Sequence, residues 1–226
     1  MERERIRSRR EQGEETRKVL LEVGARLFGT TGFHGVSMRQ LVSEAGVNLS
    51  TVNYHFGSKA GLYRAIIETI IAVQPEIFPA EEYVLTRLKD ADNDPVKQAE
   101  CVKWYVGRMV RGLIGNPDHV WPAFIISREL AQPSEEFAFL LDEFFNPSFH
   151  SLRALVSGVL PEGTEPEEVV ITVHGIIGML VKFLEGRDLI TQRLGWDGYG
   201  PAEVEKLASV LSKRAAGYLG LPMESV

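Results

Sequence analysis

Apolar residues recur along most of this 226-residue chain at three- and four-residue spacing, the period of an amphipathic helix. No stretch shows the sustained period-two alternation of a half-buried strand. From Glu14, the positions Leu20, Val23, Leu27 and Phe28 form one stripe, which Gly29 and Gly32 are expected to stop. Ser37 with Gln40 forms a Ser-x-x-Gln capping box for a second helix, with Leu41, Val42 and Ala45 facing inward. Gly46 closes that helix, Val47 plugs the turn, and Asn48 caps a third helix over about 49–55. Gly57 ends the third, Ser58 caps a fourth, and Leu62, Ile66 and Ile70 carry the fourth inward until Pro75 and Pro79 end it. Long amphipathic stretches follow at about 80–90, 95–115, 118–131, 134–159, 166–187 and 201–219. The breaks between them read GNPD, AQPS, LPEGTEP and GWDGYGP, all turn chemistry. The pattern predicts an all-α protein with a small helical head and a larger helical body. Its parts are an arm at 1–13, a head at 14–57, a connecting helix at 58–74 and a body at 75–226.

Charge adds a second division. The net charge is −6, which by itself argues against nucleic acid. Residues 1–60 nevertheless hold 10 Lys+Arg against 7 Asp+Glu, and residues 61–226 hold 15 against 24. A basic head on an acidic body points to a polyanion met by the head alone. The arm MERERIRSRREQG carries five arginines and alternating charge, so it reads as disordered or as a frayed helical extension. It has no apolar h-region, and no apolar run reaches the roughly 18 residues of a membrane span. With a lone cysteine, Cys101, no internal disulfide framework is possible, and the cytoplasm is the expected compartment.

Helix, tight turn and short helix form the arrangement of a DNA-binding helix-turn-helix. Two helical turns span about 10 Å, close to the ~12 Å width of the major groove. On the third helix Val52 and Phe56, four apart, face the core. Ser50, Thr51, Asn53, Tyr54 and His55 then lie outward, with groups that bond to phosphates and base edges. Lys59 stands in the first turn of the fourth helix, where the macrodipole disfavours a cation unless an anion is also bound there.

These residues carry a resemblance. "LFGTTGFHGVSMRQLVSE" followed by "AGVNLSTVNYHFGSKAGLY" resembles the DNA-binding head of the tetracycline-repressor (TetR) family of bacterial transcription regulators, from about Thr16 to Ile70. The resemblance implies phosphate contacts from Thr16, Ser37, Tyr54, His55 and Lys59. It also implies base-edge contacts from Arg39, Leu49, Ser50, Thr51 and Asn53. Asn53 departs from the bulkier tyrosine or isoleucine usual in the family, and an asparagine there can pair bidentately with adenine. "FIISRELAQPSEEF" and "LITQRLGW" resemble the body of a subgroup named after the CecR regulator.

In the body most aromatics read as ordinary core. The pocket candidates are Trp104, Arg108, Trp121, Phe124, Arg128, Phe145, Phe149, His150 and His174: apolar walls with a few polar groups, for an unidentified small-molecule effector. Arg128 beside Glu129 also fits a structural charge pair. "VVITVHGIIGMLVKFLEG" is apolar on almost every side, and Gly175 and Gly178 permit a close backbone approach. The resemblance implies that this helix (about 166–187) and the one at 201–219 build a homodimer, which would bind a near-palindromic double-stranded operator. A ligand-responsive repressor is the reading that results; the rival is a helical protein-interaction module. The five histidines lack metal-ligand spacing, and neither a phosphate-cradling glycine loop nor a G-x-S-x-G elbow occurs. No enzyme, metal or cofactor is therefore expected.

Overall fold

The computed structural model describes residues 2–115 and 120–223, and among them there is no strand. The helices are α1 (Glu2–Gly35), α2 (Met38–Ala45), α3 (Leu49–Phe56), α4 (Lys59–Ile77), α5 (Glu81–Ala91), α6 (Pro95–Leu113) and α7 (Val120–Ala131). They continue with α8 (Phe137–Leu140), a π-helical turn (Leu141–Phe145), α9 (Asn146–Ser157), α10 (Pro166–Glu185), α11 (Arg187–Leu194) and α12 (Pro201–Tyr218). No single described helix is long and apolar enough to cross a membrane.

Several boundaries differ from those predicted. The arm at 1–13, read as disordered or as a frayed helical extension, takes the second form: it is helical from Glu2, because arginine and glutamate are good helix formers and the arm simply continues α1. Gly29 stays helical, and the break falls at Gly32, whose φ of 76° and ψ of 166° kink the helix. Pro75 does not end α4, which runs two residues further. Proline removes its own N–H and crowds the preceding turn, but the amides after it can still bond back. The Arg108 guanidinium takes the Pro75 carbonyl at 2.8 Å. α11 was missed: it follows α10 across a 78° bend at Gly186, and its polar sequence shows no stripe.

The helices divide into two compact units. The first holds Met1–Ala72 with Trp121–Ala138, and the second Val73–Val120 with Phe139–Val226. By chain order 121–138 would belong to the body; by packing it folds with the head. The core of the first unit is the predicted stripe: Leu20, Leu27, Phe28, Leu41, Val52, Leu62, Ile66 and Ile70 are all buried, joined by Tyr63 and Ile125. α1 and α4 approach so closely that a Cβ on Gly24 would stand 2.8 Å from Ile66 Cδ1. The Phe28 and Tyr63 rings meet edge-on at 4.8 Å. In the second unit α6 packs along α12, burying Val102, Tyr105, Val106, Met109 and Val110 against Leu207, Ala208, Leu211, Ala215 and Ala216. Small residues permit this: a Cβ on Gly115 would lie 2.9 Å from Val204 Cγ1.

Candidate nucleic-acid interface

The turn between α2 and α3 is built as its residue types require. Ser37 Oγ accepts the Gln40 amide at 3.1 Å. The other half of the capping box does not form, because the Gln40 side chain turns to Glu44 Oε1 at 3.3 Å. Arg26 also bonds Glu44, at 2.6 Å, and these contacts hold the Glu44 carboxyl below the usual carboxylate range. Gly46 takes the left-handed conformation (φ 64°, ψ 29°) that side chains resist. The Val47 amide closes the α2 terminus on the Val42 carbonyl at 3.1 Å.

Asn48 then caps α3. Its Oδ1 accepts the Thr51 amide at 2.9 Å, the Ser50 hydroxyl at 2.5 Å and the Thr51 hydroxyl at 3.0 Å. Val52 is completely buried and anchors α3 from behind, with half-buried Phe56 below it. The Arg17 guanidinium lies 5.2 Å from the Phe56 ring centroid. Opposite this anchor the helix protrudes: Tyr54 is 85 % exposed and Leu49 50 %. Ser50 and Asn53 are exposed, and Thr51 and His55 are half-buried. Ser37 and Arg39 are exposed on α2, and half-buried Thr16 donates its hydroxyl back to the Gln12 carbonyl at 2.8 Å.

Lys59 has a duty that the sequence did not disclose. Its ammonium donates to the carbonyls of Phe33 (2.9 Å) and Val36 (2.8 Å) and lies 4.4 Å from the Phe33 ring centroid. Two of its three hydrogens therefore secure the end of α1, and one remains. Gly61 was also missed. A Cβ there would overlap the Phe56 carbonyl, so α4 can start directly beneath α3 only with glycine at this position. A glycine inside the first turn of a helix, in "SKAGLY", was the available signal.

The ligand candidates scatter. In the first unit, Trp121 and Phe124 lie against the Gly29 backbone, where a Cβ would come within 3.3 Å of Trp121 Cε3 and 3.5 Å of Phe124 Cβ. Arg128 donates Nε to the Gly29 carbonyl at 2.7 Å and Nη2 to the Thr30 carbonyl. It does not pair with Glu129. That carboxylate, 2 % exposed, accepts the Tyr63 hydroxyl at 2.5 Å and the Ser134 amide at 3.0 Å. Burial, then the adjoining Glu129 carboxylate, pushes the Tyr63 phenol far above its ordinary value. Arg64 bonds Glu136 at 2.6 Å. Trp121, Phe124 and Arg128 thus fasten 121–138 to α1.

In the second unit Trp104 lies beneath the Arg87 guanidinium, 4.4 Å from its ring centroid, and beside Tyr83. Arg108 is occupied by Pro75. Phe145 packs on Phe144, while Phe149 touches His150 and His174, both exposed. None of the nine candidates lines the cavity of about 480 Å³ at the C-terminal end of α6. Its walls include Arg111, Ile114, Arg187, Tyr199, Val204 and Glu205. Arg111 and Glu205 pair twice, at 2.6 and 2.8 Å, which raises the arginine and lowers the carboxyl from their ordinary pKa values. Arg187 lies 5.0 Å from the Tyr199 ring centroid and has no carboxylate partner among the described residues. Two arginines 76 positions apart leave no local sequence signal.

Comparison with known proteins agrees with this geometry. Residues 20–66 match the family described as bacterial regulatory proteins, tetR family. Residues 102–219 match the C-terminal domain of the HTH-type transcriptional dual regulator CecR. The dual regulator CecR of Shigella flexneri is 25 % identical over 195 residues, 86 % of each chain. The transcriptional regulator RutR of Escherichia coli strain K12 is 33 % identical over 57 residues, 25 % of this chain and 27 % of its own. Among solved structures, AibR in complex with isovaleryl coenzyme A and operator DNA superposes with a TM-score of 0.61 at 18 % identity, covering 88 % of this chain and 97 % of AibR. The hemolysin II transcriptional regulator HlyIIR superposes with a TM-score of 0.56 at 19 % identity, covering 88 % and 98 %. At such identities the last two comparisons speak for the fold alone.

Proposed function

This chain belongs to the tetR family of bacterial regulatory proteins and carries a C-terminal domain of the CecR type, and from that premise we infer a ligand-responsive repressor that binds operator DNA as a homodimer. Its named relatives are transcription regulators, and operator binding is consistent with the cytoplasm. The observation that carries the reading is α3: a buried valine behind, and Leu49, Ser50, Asn53 and Tyr54 exposed in front. Ser50, Thr51 and Asn53 would meet base edges together with Leu49 and Arg39. Thr16, Ser37, Tyr54, His55 and the remaining hydrogen of Lys59 would meet phosphates.

Dimerisation through α10 and α12 is supported by the apolar surface that both expose, Val170 and Ile171 on one and Val210 and Tyr218 on the other. Twofold symmetry would place the two α3 helices about 34–36 Å apart, or a multiple of that, on a near-palindrome. For the effector, we propose the cavity at the end of α6. It carries two guanidinium groups against one carboxylate, which favours an anion. A Cβ on Gly112, one turn before the cavity, would lie 2.8 Å from Ile77, the last residue of α4. A ligand that shifts this end of α6 would therefore act on the helix whose first turn holds Lys59. A coupling of about 1–3 kcal/mol weakens operator binding roughly 5- to 150-fold.

Gel shifts on genomic fragments test the DNA reading. A salt-sensitive, sequence-specific band is expected, and its absence would favour the protein-interaction module. Isovalerate and isovaleryl coenzyme A, titrated against operator-bound protein, test the effector reading. A compound that acts through the cavity loses its effect in Arg187→Ala while operator affinity without it is unchanged. Undiminished release from that variant would place the effector elsewhere.

A further inference from the structure

The three donors converging on Asn48 bear on which bases α3 can read. The Thr51 backbone N–H, at 2.9 Å, can only donate, so the amide atom it meets must be the oxygen. That oxygen carries no hydrogen. The Ser50 and Thr51 hydroxyls, at 2.5 and 3.0 Å from the same atom, can therefore bond to it only by donating their single hydrogens. Each hydroxyl then has nothing but lone pairs to offer outward. In the major groove the complementary groups are the exocyclic amines of adenine (N6) and cytosine (N4). Guanine N7 and O6 and thymine O4 would be met lone pair against lone pair.

We propose that Asn48 is a positioning residue that holds Ser50 and Thr51 as hydrogen-bond acceptors, so that the leading end of α3 selects base pairs presenting exocyclic amino groups. The proposal rests on the reading of α3 as the DNA-contacting helix. Turning either hydroxyl toward a base acceptor breaks its bond to Asn48, and this cost separates the two classes of base. The exposed Asn48 amide nitrogen keeps two hydrogens for a phosphate oxygen, so the residue contributes to affinity separately from its effect on preference.

The test uses the full-length chain and a duplex that it selects from a random-sequence library. Each adenine in the duplex is replaced by purine, which lacks the N6 amine, and each cytosine by 2-pyrimidinone, which lacks the N4 amine. In parallel, 7-deazapurines remove the N7 acceptor. At the positions read by Ser50 and Thr51, loss of the amine should weaken binding about 3- to 10-fold. That loss should vanish in Ser50→Ala or Thr51→Ala, and the 7-deaza changes there should be nearly neutral. Asn48→Asp keeps an acceptor oxygen, so it should bind more weakly overall yet retain the same base preference. Asn48→Ala frees both hydroxyls and should broaden the preference toward guanine and thymine. Coupling of Ser50 or Thr51 to N7 or O6, absence of coupling to any amine, or an unchanged preference in Asn48→Ala would overturn the proposal while leaving sequence-specific binding intact. Failure to select any duplex would instead bring down the DNA-binding reading itself.

Discussion

Replacing Lys59 by alanine separates two roles that the residue combines. The folded head loses two hydrogen bonds from a charged donor, to Phe33 and Val36 at 2.9 and 2.8 Å, and the contact with the Phe33 ring at 4.4 Å. A bond involving a charged group contributes about 1.5–3 kcal/mol when desolvated. Lys59 is only half-buried, so water can reach part of the site and replace part of that loss. The cation–π contact adds about 0.5–1 kcal/mol at such a position. The sum, discounted for solvent, is about 2 kcal/mol, read as a lower urea midpoint for the transition of the first unit in the full-length chain. Lys59→Ala should also change DNA binding in a way that lost stability does not mimic. The slope of log K against log salt should fall by about one unit per head, measured well below the unfolding transition. Lys59→Arg, which keeps the charge and offers more donors, should restore most of the slope. An unchanged midpoint would refute the duty at the end of α1, and an unchanged slope would remove Lys59 from the phosphate contacts.

Other consequences are as direct. Tyr63→Phe leaves the buried Glu129 carboxylate with the Ser134 amide as its one remaining bond of the two described, and should destabilise the first unit by about 2 kcal/mol in urea denaturation; an unaltered midpoint would contradict that geometry. Gly61→Ala forces α3 and α4 apart at the Phe56 carbonyl, so it should abolish operator binding while the second unit keeps its own unfolding transition. Burial pushes the Cys101 thiol above its ordinary value, so alkylation at pH 8 should be slow in the folded chain and rapid in denaturant; fast labelling of the folded chain would place the thiol at the surface. The Glu205 carboxyl is lowered by Arg111, so the pair's contribution is complete above the ordinary carboxylate pKa and is lost as pH falls through the lower folded value. The thermal-denaturation difference between wild type and Glu205→Gln should therefore be full above pH 4.5, begin to shrink below it, and vanish only in stronger acid, once pH has fallen through the lower folded value.

What the amino-acid sequence determined is local. Periodicity placed the stripe of Leu20, Leu27, Phe28, Leu62, Ile66 and Ile70, and turn chemistry placed Ser37, Gly46 and Asn48, because neighbours in the chain supply both signals. The exposed face of α3 followed from the four-residue spacing of Val52 and Phe56. Tertiary structure decided the rest. The cation at the start of α4, read from the macrodipole as a sign of phosphate, has carbonyl partners 23 and 26 residues earlier. Arg128 reaches carbonyls 98 and 99 positions away, which draws 121–138 into the head. The cavity joins Arg111 to Arg187. A short-range pattern records which face of a helix must be buried. It holds no record of which distant backbone oxygen a long charged side chain will find, because that distance is set only once the helices have packed.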